Sequence, residues 1–397
     1  MGELCFRCVG KGKCDRKVCI LKEHLHIRKA FNDSSKKDFF GENYNIMIGH
    51  HGYPKVNVGL LNTDTTVKDQ SVDDTKYWVE NKFEINDVIQ RRSMLINSSF
   101  KASVKGFSDR LMDVFNQVSL ADKPVDTEIY LDKKPQFKLV FHNEVSPHGP
   151  RVELERARIT ENVHIPEKVD KVVNDEITSK ESLSILYNKG FDNQYLTKVL
   201  SSGQTGLSAN KKLVPTRWSI TAVDDTLGKE IISEIKNNQI INDYRIYFGN
   251  YFGNYYVIMM YPEIWSYELF ETMIGNFESS HDYENHYGRK SYADETVGGY
   301  YAARLSILEH LRSIKRQATV IALRFVSDEY WAPLGVWVVR QAVKNSVNNK
   351  PVIFSDKESM KKYADELLKK YGYRLDHFSN QSVLNKQLSV QKKLGDF

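Results

Sequence analysis

Four thiols stand together near the start of the chain, as Cys5-x2-Cys8-x5-Cys14-x4-Cys19, and no cysteine follows them. Four thiolates satisfy a tetrahedral ion and leave no open position, which is the donor set of a structural zinc site. An iron–sulfur cluster is the second chemistry that such a set supports. Two disulfides are disfavoured, because no secretory signal precedes the cysteines and the rest of the chain avoids the residue. A small loop-rich knob over residues 1–22 buries too little apolar surface to hold itself together without a metal.

Further along, His50 and His51 sit between Gly49 and Gly52. Adjacent imidazoles in a glycine-flanked turn suit a phosphate oxygen, or acid and base roles, and glycine permits close backbone approach to a ligand. A plain surface turn is the alternative. Asp224 and Asp225 follow a stretch, Arg217 to Val223, that reads as a strand. Carboxylates at a strand's carboxyl end can hold Mg²⁺ beside a phosphate or act as a general base. They also serve as caps for a helix starting at 226. Arg217 and Arg304 are candidate phosphate forks, and Arg304 is equally suited to a buried carboxylate. His281, Asp282, Glu284 and His286 offer metal donors without helical spacing, so a solvated loop is favoured there. The expectation is a polar pocket holding His50 or His51, Arg217 and one of Asp224 and Asp225. Walker, dinucleotide-binding and nucleophile-elbow motifs do not occur.

The elements that must position these residues follow from periodicity and turn signals. Residues 43–61 read as two strands around the Gly-His-His-Gly turn. Two helical stretches follow over 86–118, with Phe107, Leu111, Phe115 and Val118 on one face. A hairpin is expected over 127–143, split at Lys133-Lys134-Pro135. A polar connection, 144–182, carries the local motif SPHGP at 146–150. A helix over 182–202, a loop over 201–213, the strand 217–223 and a helix over 226–237 come next. Aromatic strands over 244–261 precede a helix near 294–315 bearing Val297, Tyr301, Leu305, Leu308 and Leu311 on one face. A strand over 318–326 and the strand PVIF lead to a capping box, Ser355-x-x-Glu358. The helix it starts carries Met360, Tyr363, Ala364, Leu367, Leu368 and Tyr371 and stops at Gly372. The class expected is α+β with a mixed sheet. The body divides into 23–200 and 201–379, followed from Asn380 by a polar, flexible tail over 380–397.

The chain carries 56 basic and 51 acidic residues. Residues 1–29 hold eight basic and three acidic side chains, which equals the whole net charge of +5. A basic metal-held knob suits contact with DNA phosphate, and a solvated surface is the alternative. No apolar run is long enough for a membrane span, and Phe6 stands where myristoylation needs Ser or Thr. A cytoplasmic protein is expected. The many tyrosines and phenylalanines fill a core and also suit stacking on bases.

Near the carboxyl end, Gln391, Leu394 and Phe397 follow the spacing of Gln, an aliphatic at +3 and an aromatic at +6. This resembles the PCNA-interacting peptide, in which the Gln fills a polar pocket and the other two form a hydrophobic plug. The longer blocks GHHGYPKVNVG (49–59), VPTRWSITAVDD (214–225), GGYYAARLSILEHL (298–311) and YWAPLGVWVVRQAV (330–343), with the cysteine cluster and the terminal QKKLGDF, resemble the archaeal Nre DNA-repair family over nearly the full length. That resemblance implies a role in DNA-damage repair and recruitment by the PCNA sliding clamp. It implies no reaction. Two readings stay open. One is a repair factor acting on DNA or a nucleotide ligand, including phosphodiester or ADP-ribose-type glycosidic cleavage. The other is a non-catalytic adaptor between DNA and the clamp.

Overall fold

Val125, Thr127, Ile129 and Leu131 are buried while their neighbours are half-exposed, the period-two pattern of a strand with one face turned to a core. That strand belongs to a barrel. The computed structural model describes residues 31–390 apart from 34, 66–68 and 107–109. Its contacts divide the chain into two units, one reaching to Val223 with Trp331–Gly335 added, the other holding Asp224–Tyr330 and the chain from Val336. The cysteine knob and residues 391–397 lie outside the described residues.

In the first unit, β1 (Asp38–Ile48), β2 (Lys55–Asn62), α1 (Thr75–Glu80), α2 (Ile85–Ser93), β3 (Ile96–Ser103), α3 (Arg110–Leu120), β4 (Val125–Leu131) and β5 (Arg151–Ile159) precede three more helices. These are α4 (Glu167–Asn174), α5 (Ser179–Asn188) and α6 (Asn193–Ser201). The strands close in the order β1-β2-β3-β5-β4, with β3 and β5 parallel and the other pairs antiparallel. Closure leaves no unpaired edge. Ile46, Ile48, Val56, Val58, Leu60, Ile96, Phe100, Ile129 and Leu154 pack with Met112, Phe115 and Val118 of α3. Burying each large apolar side chain contributes roughly 1.5–3 kcal/mol.

The expected strand pair at 43–61 is present, with Met47 opposite Gly59 and Ile48 opposite Val58. The helix bearing Leu111, Phe115 and Val118 is present too, while Phe107 lies outside the described residues. Three expectations here need correction. Between the two helical stretches lies β3, whose Asn97 and Ser98 are polar yet buried. The 127–143 hairpin does not form; β4 pairs with β1 and β5, and Val140 makes only an isolated bridge to His148. The 144–182 connection contains β5 and α4.

The largest correction concerns 217–223. This stretch is helical, part of α7 (Thr216–Ile235), and Asp224 and Asp225 stand in the middle of that helix rather than at a strand end or a cap. Its β-branched residues favour a strand locally, but Val223, Leu227, Ile231 and Ile235 are buried at helical spacing. The division between the units falls inside α7.

The second unit is built on a sheet. Its strands are β6 (Tyr244–Tyr251), β7 (Asn254–Tyr261), β8 (Ser266–Met273), β9 (Ser280–Glu284), β10 (Thr319–Val326) and β11 (Val352–Phe354). They run in the order β11-β6-β7-β10-β8-β9, with only β10 and β8 parallel among these pairs. Both units therefore contain mixed sheets, as expected of an α+β chain. The helices are α8 (Val297–Ser313), α9 (Trp337–Asn348), α10 (Lys357–Lys369), α11 (Leu375–Ser379) and α12 (Val383–Val390). Met360, Ala364, Leu368, Phe378 and Leu384 from α10 to α12 cover Ile246, Val257, Phe270, Leu323 and Phe325. On β6, Gly249 lets α9 close against the sheet, since a Cβ there would stand 2.7 Å from the backbone of Ser346.

Two further differences appear at the carboxyl end. The cap of α10 is Asp356, which accepts the Ser359 N–H at 2.8 Å, rather than Ser355. The chain from Asn380 to Val390 is not a loose tail, because α12 places Leu384 in the core. The Glu268 carboxylate accepts the Val383 and Leu384 N–H groups at 2.9 and 3.2 Å.

Candidate phosphate-binding site

Gly52 at φ +84° turns the chain after β1, and β2 begins at Lys55. The Ile48 N–H donates to Thr216 Oγ1 at 2.8 Å, so the last residue of β1 is tied to the first residue of α7. These two constraints bring His50, His51, Thr216 and Arg217 to the wall of one cavity of about 630 Å³ in the first unit. The other walls come from β3 (Asn97 and Ser99), the start of β5 (Arg151) and the segment 133–150. That segment contributes Lys133, Lys134, Lys138, His142, Glu144 and His148.

The charge of the cavity is one-sided. Lys133, Lys134, Lys138, Arg151 and Arg217 face a single carboxylate, Glu144, among the lining residues. Glu144 accepts from Arg217 Nη2 at 2.7 Å and fixes the guanidinium. Thr216 and Arg217 are also the first residues of a long helix, where unsatisfied N–H groups and the helix dipole favour an anion. The His50 and His51 rings lie 3.9 Å apart between centroids. Burial, His51 and Arg217 hold His50 below its ordinary value. Burial likewise lowers His142, with Glu144 opposing. His148 is buried and pushed down to about 4, chiefly by loss of solvent. Neutral His148 donates from Nδ1 to the Gly149 carbonyl at 2.7 Å, which leaves Nε2 as an acceptor.

One buried group in the wall has no protein partner. The Asn97 side-chain oxygen makes no hydrogen bond, and the residue is 5% exposed. Its position depends on Gly59, since a Cβ there would lie 1.9 Å from that oxygen. At the turn beside the cavity, Tyr53 and Trp218 pack with ring centroids 5.6 Å apart and remain 44% and 46% exposed.

The structure thus brings His50, His51 and Arg217 together and leaves Asp224 and Asp225 out of the cavity lining. Both carboxylates are occupied inside the second unit. Buried Asp224 takes a forked bond from Arg340, with Nη2 at 2.7 and 2.6 Å from its two oxygens. Asp225 accepts from Arg304 and from Lys229, each at 2.6 Å. Arg304 is buried and also donates to Glu284 at 2.7 Å, so it serves as the ion partner rather than a phosphate fork. Around the HDYENH segment, Asp282 accepts Thr296 N–H and Oγ1 at 2.8 and 2.9 Å and pairs with Arg289 at 2.7 Å. Glu284 accepts the Trp265 indole at 3.2 Å. Among the described residues no three His, Cys, Asp or Glu side chains are placed to hold a metal ion. His142, His148, Asn97 and the lysines were not singled out as site residues by the sequence. The compact SPHGP motif was the one signal for His148.

The chain matches the family described as Archaeal Nre, N-terminal, over residues 13–276, and Archaeal Nre, C-terminal, over residues 284–397. It is 35% identical over 344 residues to the DNA repair protein NreA of Haloferax volcanii, covering 82% of each chain. It is 32% identical over 404 residues to the DNA repair protein NreA of Archaeoglobus fulgidus, covering 98% of each. The DNA repair protein NreB of the same organism is 33% identical over 373 residues, 91% of this chain and 92% of that one. No solved structure matches the chain. Among the described residues no helix is long and apolar enough to cross a membrane.

Proposed function

We propose, from the premise that this chain belongs to the archaeal Nre family, that it is a DNA-repair protein whose first-unit cavity binds a phosphate-bearing part of damaged DNA. The repair role is supported by the names of its relatives. The observation that carries the binding role is the convergence of Arg217, His50 and His51 in a cavity with five cationic side chains and one carboxylate. A guanidinium fork, imidazole N–H donors and a helix N-terminus are suited to phosphate oxygens. Fluorescence anisotropy with a 5′-phosphorylated, labelled oligonucleotide tests this. Arg217→Ala and the pair His50→Ala, His51→Ala should each weaken binding about tenfold, the scale of one lost charge-assisted contact. Unchanged affinity in both variants overturns it.

Two parts of the proposal rest on sequence alone. Cys5, Cys8, Cys14 and Cys19 hold one zinc ion that keeps a basic knob folded for contact with DNA. Elemental analysis should find one zinc per chain; iron with sulfide would instead identify a cluster, and no stoichiometric metal would remove the idea. Gln391, Leu394 and Phe397 dock on the PCNA sliding clamp. Phe397→Ala should lower clamp affinity more than tenfold in calorimetry, about 2 kcal/mol for a buried aromatic anchor. Equal affinity would show that the tail is not the docking element.

A second reading is hydrolysis of a phosphodiester or an ADP-ribose-type ligand, and the touching imidazoles of His50 and His51 within the cavity favour it. Product analysis after incubation with each substrate class separates it from binding alone, with His50→Ala as the control that should abolish turnover.

A further inference from the structure

We infer that this cavity takes an unpaired nucleotide of single-stranded DNA, with a neighbouring base stacked on Tyr53 and Trp218. The inference rests on the reading of the cavity as a phosphate site and adds which form of DNA enters it. Trp218 directly follows Arg217, and Tyr53 lies two residues beyond His51; the rings are not part of the lining, but each stands one or two residues along the chain from a side chain that is. The rings pack on each other at 5.6 Å with a 49° tilt, yet both stay close to half exposed. Exposed aromatic faces beside a cationic groove are the means by which single strands are held, since every unpaired base offers a flat apolar face. In a duplex those faces are covered by neighbouring pairs, so the platform has nothing to grip there.

The wall of the cavity points the same way. The Asn97 oxygen is buried, without a partner, and kept in place by the missing side chain of Gly59. Set over Gly59 in the wall of the cavity, that acceptor suits a base amino group of the entering nucleotide. The volume of about 630 Å³ is that of a ligand pocket of ordinary size, ample for one nucleotide. Lys133, Lys134, Lys138 and Arg151 then face the following phosphates.

The test uses the full chain with one labelled oligonucleotide, single-stranded and as a blunt duplex, at fixed salt. The single strand should bind at least about tenfold more tightly than the duplex, and Trp218→Ala should lower its affinity about five- to a hundredfold, the effect of losing one base–aromatic stack. Trp218→Phe should restore most of that loss, and duplex binding should not respond to either change. Arg217→Ala should weaken both forms. Equal single-strand and duplex affinity, or a Trp218→Ala protein that binds single strands like the parent while Arg217→Ala does not, overturns the inference and leaves the phosphate site standing. Unchanged binding in Arg217→Ala and in the His50→Ala, His51→Ala pair fails the phosphate site itself and the inference with it. Both aromatic side chains are exposed, and circular dichroism checks that the variants fold.

Discussion

His148 holds its place by staying uncharged. Burial pushes it down to about 4, against the Nδ1–H bond to the Gly149 carbonyl, which raises it. The unfolded chain binds a proton near 6.5 that the folded chain refuses. Stability is therefore full above about pH 6.5 and is lost as pH falls toward 4, by about 3 kcal/mol at most for this one group. Thermal melts between pH 7 and 4 should show the decline, and His148→Asn, which keeps a donor toward Gly149, should make it shallower. His310 in the second unit, also lowered to about 4 by burial, contributes in the same direction and stays in that variant. An unchanged slope in His148→Asn would mean the ring is not buried as a neutral group. Arg304 is the opposite case, a charge kept in the interior by Glu284 and Asp225. Arg304→Ala leaves buried Glu284 without its cation, while Asp225 keeps Lys229, and should destabilise the protein by about 3–5 kcal/mol in denaturant titrations. That Arg217 and the histidine pair come to the wall of one cavity was legible from residue type and flanking glycines. That Asp224 and Asp225 do not was hidden, because Arg304 and Arg340, which occupy them, are remote in sequence.

Among the elements, those with strong periodicity were readable and those held by side-chain polarity were not. β4 alternates buried and half-exposed positions, and β7 is a nearly continuous apolar run. β3 escapes any hydrophobic pattern because Ser98 faces Asn62 inside the barrel, exchanging bonds at 3.0 and 3.1 Å. The polar composition after Asn380 suggested a tail, yet α12 is anchored by one leucine and one carboxylate. Leu384→Ala should cost about 2–5 kcal/mol, the range for a large buried aliphatic, where an exposed tail residue would cost close to nothing. A melt indistinguishable from the parent would return this segment to the tail.

At the scale of the whole molecule, the two proposed attractions to DNA are separable by salt. The excess charge of the chain sits in residues 1–29, whereas the cavity has its own cations within a balanced body. Each phosphate neutralised on a single strand releases counterions and contributes about −0.7 to the slope of log K against log salt. Stacking on Trp218 releases none. Arg217→Ala should therefore flatten the slope by about 0.7, the share of one phosphate contact. Replacing Lys11 and Lys13 by Gln should flatten it by up to twice that, if the knob lies on the same strand. Trp218→Ala should lower affinity by the same factor at every salt concentration and leave the slope unchanged, because the lost contact is apolar and aromatic. Anisotropy titrations from low to moderate salt measure all three. A Trp218→Ala slope that falls with Arg217→Ala would mean the ring acts only by positioning the guanidinium beside it. A slope insensitive to Lys11 and Lys13 would confine DNA contact to the body and leave the basic knob as a solvated surface.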